Sequence, residues 1–356
     1  MQKVRKMEKK WPIFLTVFVA LMGLYGRALL QRTPNEHSIL LFRMRHMNAS
    51  RLHVRHSSKI RKMDVLLLVF GMKSGLDDYV TSISTLENYR PAFGAMVYLS
   101  PLVTCKHNAF NTVPCIDCVT RGRRPDTRIG YKCLVDVALI FEEIFTSNLK
   151  GFLFIHADFW LTPTFIELGN SLLEHYPGAH WLPGHSSTYA LKCSNLPANS
   201  VPTVGWWWDN SACGGQERCR VNLNGNWPPQ SAAVQRAQAL HAGSSSRAGL
   251  QLKYNPDLGM WADMYFVPKE SYAEFGLAEK YLKEAKVMNE IAVPMAMLTS
   301  CDVSNGSIVK VGCWGSCCTS LEDPSVLHRE SCGHRLQLND ASQVAALEKQ
   351  WAHITG

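Results

Sequence analysis

The chain has 356 residues, 46% of them hydrophobic, which is enough apolar material for one large core or two smaller ones and excludes disorder throughout. Its formal charge of +8 is unevenly spread: residues 1–62 hold 14 Lys and Arg against 2 acidic residues, leaving 23 against 27 for the remaining 294. The main body is therefore slightly acidic, which argues against a domain that neutralises nucleic-acid phosphates.

The basic segment comes first. "MQKVRKMEKK", 1–10, places five cations ahead of an uncharged run of 16 residues, Trp11–Gly26. At a helical rise of 1.5 Å that run covers roughly 24 Å, and extension through Ala28–Leu30 brings it close to the hydrocarbon thickness of a thin bilayer. The sequence predicts one uncleaved anchor over 11–30, with 1–10 in the cytosol and everything downstream in the lumen, by the positive-inside rule. A cleaved secretory signal is the alternative, and it leaves the main domain in the same compartment. Residues 31–62 mix polar and basic side chains without a period and read as a stem.

Cysteine use agrees with a lumenal address. The 12 Cys favour disulfides, with "CWGSCC" (Cys313, Cys317, Cys318), Cys301 and Cys332 as a C-terminal cluster. A zinc site on "CIDC" (Cys115, Cys118) with His107 is the lesser alternative. Asn48-Ala-Ser50 and Asn305-Gly-Ser307 are glycosylation sequons compatible with the lumen.

The main domain is expected over 63–335, with 336–356 as a tail. "MDVLLLVFG" is an unbroken apolar run of the kind found in a parallel strand covered on both faces. "LDDYVTSISTLENYR" has helical spacing, "FGAMVYLSP" reads as a second strand, and "YKCLVDVALIFEEIFTS" as a strong helix. "GFLFIHAD" is the third strand. Strand, helix, strand, helix, strand predicts a doubly wound α/β fold, whose ligands sit outside the carboxyl ends of the strands. That strand stops on His156 and Asp158, which alternation puts on one side and which both need water or a partner. Farther on, 224–250 is rich in Ser, Ala, Gly, Pro and Gln and reads as a flexible insertion. Order resumes with "LGMWADMYFVPKESYAEFG", a strand turning at Pro268 into a helix, and "YLKEAKVMNEIAVPMAMLTS", a helix interrupted by Pro294.

A cytosolic basic tip, an anchor, a stem and a lumenal α/β domain whose third long strand ends on an Asp resembles a Golgi glycosyltransferase of the GT-A fold. The resemblance covers roughly Met63–His334. Enzymes of that fold carry D-x-D at this strand end, where carboxylates hold a divalent metal that bridges the two phosphates of a nucleotide sugar. Here "HAD" stands in its place, with His156 at the first acidic position. A His ligates Mn2+ or Zn2+ readily, while Mg2+ is left with one hard oxygen ligand fewer.

The resemblance implies further roles. Asp263, in "LGMWADMYFVP", is expected to face the sugar. Glu290, in "VMNEIAVP", is expected to contact donor or acceptor and to act as general base in an inverting transfer. His328, in "SVLHRES", is expected to complete a metal site with His156 and Asp158. Phe70 and Gly71 at the first strand end, with Arg128 and Lys132 of "RRPDTRIGYK", are expected to bind the nucleotide beside Asp158. Trp206, Trp207 and Trp208 read either as an acceptor platform or as core aromatics.

Each residue also has a structural reading: Asp158 as a turn cap, His156 as a satisfied core histidine, Asp263 as a strand-end polar group, Glu290 on a solvated helix face, and His328, Arg128 and Lys132 in solvated loops. The expected partners are a nucleotide-sugar donor, a glycan or glycoprotein acceptor and the membrane, with no nucleic acid; a homo-oligomer is compatible with the sequence. Two rival functions remain: a catalytically inactive GT-A domain serving as a lectin-like or partner subunit, and a lumenal metal-dependent hydrolase using His156 and Asp158. No G-x-S-x-G, Walker A, G-x-G-x-x-G or H-E-x-x-H string supports other common activities.

Overall fold

A computed structural model describes residues 61–71, 87–100, 115–117, 148–184, 187–196, 230–243, 252–255, 258, 262–315 and 321–355. The expected tip, anchor and nearly all of the stem lie outside them, as do the predicted helix at 131–147, Arg128, Lys132 and the Trp206–Trp208 run. Among the described residues no helix is long and apolar enough to cross a membrane.

The chain folds as α/β around a mixed sheet. In chain order its strands are β1 (Met63–Phe70), β2 (Phe93–Ser100), β3 (Cys115–Asp117), β4 (Gly151–His156), β6 (His180–Gly184), β7 (Tyr189–Lys192), β8 (Met264–Pro268) and β9 (Ser307–Gly312). They lie in the order β3-β2-β1-β4-β8-β6-β9-β7. β1 is parallel to β2 and β4, whereas β8 runs antiparallel between β4 and β6. A separate two-stranded sheet pairs β5 (Phe159–Leu161) with β10 (Cys332–His334).

Alternation along the buried strands explains how both faces are covered. Leu66, Leu68, Phe70, Phe152, Phe154, Tyr265 and Val267 face one core, which is roofed by α2 (Gln230–Gly243), α3 (Tyr272–Glu284) and α4 (Asn289–Ser304). Val65, Leu67, Val69, Leu153, Ile155 and Phe266 face the other, under α1 (Pro163–His175), the short α5 (Val326–Arg329) and α6 (Ala341–Thr355). Stacked rings on each side, Phe154 on Tyr265 at 4.6 Å and Trp181 on Phe266 at 4.2 Å, hold β8 against its neighbours.

Three expectations change. Within 224–250 the chain forms α2, because Ala233, Val234 and Ala237 form a small buried stripe at helical spacing that packs into the first core. Pro294 does not interrupt a helix; the break comes earlier, where Lys286 takes a left-handed φ of 60° and the Val287 N–H donates to the Leu282 carbonyl at 2.9 Å. Pro294 sits inside α4, where it cannot supply the N–H that would meet the Glu290 carbonyl. Finally, 336–356 is no tail: Trp351 is fully buried, packs its ring at a tilt against Tyr89 with centroids 5.0 Å apart and donates from Nε1 to the Leu161 carbonyl at 3.1 Å.

Two disulfides are described. Cys193–Cys301 links the end of β7 to α4, and Cys313–Cys332 links the residue after β9 to β10. Cys301 thus pairs outside the C-terminal cluster expected for it. Cys317 and Cys318 lie outside the described residues.

Candidate active site

The carboxyl end of β4 is where the two sheets meet. β4 finishes on His156, whose N–H donates to the Asp263 carbonyl at 2.8 Å, and the next N–H, of Ala157, donates to the Phe70 carbonyl at 2.9 Å. These bonds bring the ends of β1, β4 and β8 together, so His156, Asp158 and Asp263 share one edge. β10 then approaches from the second sheet. His334 pairs with Phe159, and the Leu336 N–H donates to the Asp158 carbonyl at 2.8 Å.

The side chains converge in the same place. His156 Nδ1 lies 2.7 Å from Asp263 Oδ1, while His334 Nε2 stands 3.6 Å from Asp158 Oδ1 and 3.7 Å from Asp263 Oδ1. Both imidazoles are buried. His156 Nε2 and Asp158 Oδ1 have no hydrogen-bond partner among the described residues. Aromatic rings wall the His156 imidazole, with Phe70 at 5.7 Å and Phe154 at 5.5 Å between centroids.

Electrostatics follow from this packing. Burial pushes the Asp158 and Asp263 carboxyls up, but the imidazoles of His334 and His156 outweigh it and hold both below the ordinary carboxylate range. For His334 burial disfavours the cation, yet Asp263 and Asp158 prevail and raise it. Glu290 behaves in the opposite way. Burial first, and then repulsion by Asp263, push its carboxyl up to about 7. It sits in the first turn of α4, and its Oε2 is buried with no hydrogen-bond partner among the described residues.

The predicted residues divide accordingly. His156, Asp158, Asp263 and Glu290 share this edge of the fold. His328 does not: it is exposed on α5 and contacts Gln350, because the four-residue helix turns it outward while Val326 and Leu327 fill the core. The histidine that reaches the carboxylates is His334, six residues on, which the sequence reading passed over. A three-residue strand shows no periodicity, and "SCGHR" offered only the small residue that lets β10 lie against Trp160, since a Cβ on Gly333 would collide with that ring. Phe70 is at the site but buried, so its ring packs on His156 and its carbonyl is occupied by Ala157. Gly71 donates to the Leu99 carbonyl at 3.0 Å, and any side chain there would strike the Tyr98 hydroxyl.

Two carboxylates and two imidazoles form a donor set suited to a borderline cation such as Mn2+ or Zn2+, more than to Mg2+. As they stand, no three His, Cys, Asp or Glu side chains among the described residues are arranged to hold an ion. Each carboxylate is instead faced by an imidazole, while the partnerless His156 Nε2 leaves a donor atom available. A scan against protein-family models finds no match, and a search of curated proteins finds no significant relative.

Proposed function

We propose that the chain is a glycosyltransferase of the GT-A type, moving a hexosyl or pentosyl group from a nucleotide-diphosphate donor to a glycan or glycoprotein acceptor in the secretory pathway. Its basic tip and apolar run would anchor it in the Golgi or endoplasmic reticulum membrane as a type II protein. The observation carrying this reading is the convergence of Asp158, Asp263, His156 and His334 at the carboxyl edge of an α/β sheet, with the high-pKa carboxyl of Glu290 beside them. Ligands of such sheets bind at that edge.

Asp158 and His334, with His156, are the residues that would hold a divalent ion, Mn2+ in preference to Mg2+, and their fit rests on donor type and on the partnerless buried Nε2 of His156. When bound, the ion supplies positive charge for the diphosphate leaving group. Asp263 orients His156 through the 2.7 Å contact and brings negative charge to where the sugar ring turns cationic. Glu290, with a pKa pushed up to about 7, is matched to taking the acceptor hydroxyl proton in an inverting transfer at neutral pH. Phe70 and Phe154 set buried apolar rings against the His156 imidazole.

The test is thermal stabilisation of the full-length chain, in mild detergent, by a panel of nucleotide sugars with and without Mn2+, beside Asp158→Ala. A ligand bound only by the native state raises stability with the logarithm of its concentration over Kd. Stabilisation requiring both metal and Asp158 is expected, and it names the donor nucleotide. No response from folded protein to any nucleotide sinks the proposal. One observation favours the reading of an inactive binding domain: His156 stands where the GT-A motif has its first acidic residue, so the edge carries one carboxylate fewer. That reading predicts donor stabilisation without turnover for any acceptor.

A further inference from the structure

The two sheets are separate hydrogen-bonded units, and the site needs residues from both. Asp158 and Asp263 belong to the main sheet's edge, whereas His334 arrives on β10. β10 has only three residues, and its antiparallel partner β5 has three as well. A pair this short is weakly held by its own ladder. The Thr162 N–H on the Ser331 carbonyl at 2.9 Å and the Leu336 N–H on the Asp158 carbonyl at 2.8 Å hold the flanks of β10, and a further tie joins it to the main sheet.

It comes through Cys313 and Trp314. The Cys313 N–H donates to the Gly184 carbonyl at 2.9 Å, which continues the β6–β9 ladder by one bond and anchors Cys313 in the main sheet. Its sulfur is bonded to Cys332, two residues before His334. Trp314 repeats the link in backbone: its N–H donates to the Cys332 carbonyl at 2.9 Å, and its carbonyl accepts from the His334 N–H at 3.2 Å. Gly315, with φ of 103°, then passes so close that a Cβ would lie 2.6 Å from the His334 carbonyl. The bridge is buried at both ends, with Cys313 2% and Cys332 0% exposed.

From this connectivity we infer that Cys313 and Cys332 are positioning residues: their disulfide ties β10 to the main sheet and sets the His334 imidazole against Asp158 and Asp263. The inference rests on the proposed function where it concerns metal binding, and stands apart from it where it concerns the placement of His334. Cys193–Cys301 provides an internal control. It closes 108 residues against 19 for Cys313–Cys332, so chain entropy assigns it the larger share of stability, but it joins β7 to α4 away from β10.

The experiment compares Cys313→Ser/Cys332→Ser with Cys193→Ser/Cys301→Ser in the full-length chain, both below their melting temperatures. Three quantities are read: Tm, the Kd for Mn2+ from the free-ion resonance signal, and the imidazole NMR resonance of His334 in metal-free protein, assigned with His334→Gln. Removing Cys313–Cys332 is expected to shift the His334 resonance and to weaken Mn2+ about tenfold, the usual size for loss of a group that orients a ligand. Removing Cys193–Cys301 is expected to lower Tm more while leaving Kd and the resonance unchanged. If the first variant melts earlier with Kd and resonance unmoved, or if both variants move them alike, the positioning role is overturned. If the native chain binds no Mn2+, the metal reading fails and the resonance alone decides the positioning role. Should the Ser pair prevent folding, Cys313→Ala/Cys332→Val keeps the apolar volume and answers the same question.

Discussion

Two histidines are buried at opposite ends of the strands, and their surroundings make them opposites. His180 opens β6 with no exposed surface, and its Nε2 meets Ser300 Oγ of α4 at 2.9 Å. Ser300 gives its own proton to the Met297 carbonyl, so its oxygen accepts from the imidazole and offers no charge. Burial alone drives His180 down to about 3. His334, at the other end, faces two carboxylates and is raised above the ordinary value in spite of its burial. A buried imidazole beside a hydroxyl is a neutral packing element, while one beside carboxylates is biased toward its charged form.

The largest expected effect removes the charge that separates the two. Asp263→Ala takes away the carboxylate that His156 and His334 share, and leaves buried imidazoles without it; a loss of about 3–5 kcal/mol is expected in urea unfolding at pH 7. An unchanged midpoint would mean that charge does not organise the site, and the contrast with His180 would collapse.

Next in size is the response to acid. His180 has a depressed folded pKa, so its contribution to stability is complete above about 6.5 and is lost as pH falls toward about 3. His334 has a raised one, so its contribution is complete below about 6.5 and is lost as pH rises through the raised value. His180→Phe is therefore expected to flatten the acid limb, retaining roughly 3 kcal/mol that the native chain loses between about pH 6.5 and 4. Stability measured across that range in both proteins checks it, and parallel curves would place the acid sensitivity elsewhere.

A smaller effect concerns Glu290, a carboxyl raised to about 7 by burial and by Asp263. The raised pKa favours the folded state at low pH and disfavours it as pH climbs from about 4.5 through about 7. Glu290→Gln should stabilise the chain by about 2–3 kcal/mol at pH 8, with little change at pH 4, and under the proposed function should abolish transfer. The smallest change sharpens the comparison from outside: His328→Ala, on the exposed α5, should alter stability by less than about 0.5 kcal/mol and leave untouched any Mn2+ binding that the proposed function requires.

What could be read from the sequence follows the range of the interactions involved. β1, β2 and β4 are unbroken apolar runs, so their limits and the position of His156 and Asp158 were legible. Asp263 and Glu290 were singled out by the resemblance, and the structure puts each at the start of a strong element, β8 or α4. α2 was missed because its buried stripe consists of Ala and Val amid Gln, Ser and Arg, too weak a contrast to reveal a period. His334 was missed for another reason. Its place is set by a partner strand at 159–161 and a disulfide to Cys313, neither of which leaves a mark within a window around residue 334.

The anchoring of Trp351 on Tyr89 and Leu161 bears on how the protein is made. During synthesis the edge carrying Asp158 emerges long before the segments that cap it, since β10 and α6 follow only at 332–334 and 341–355. The nascent chain must hold the second core open, with Phe159, Trp160 and Leu161 lacking their cover, until those segments leave the ribosome.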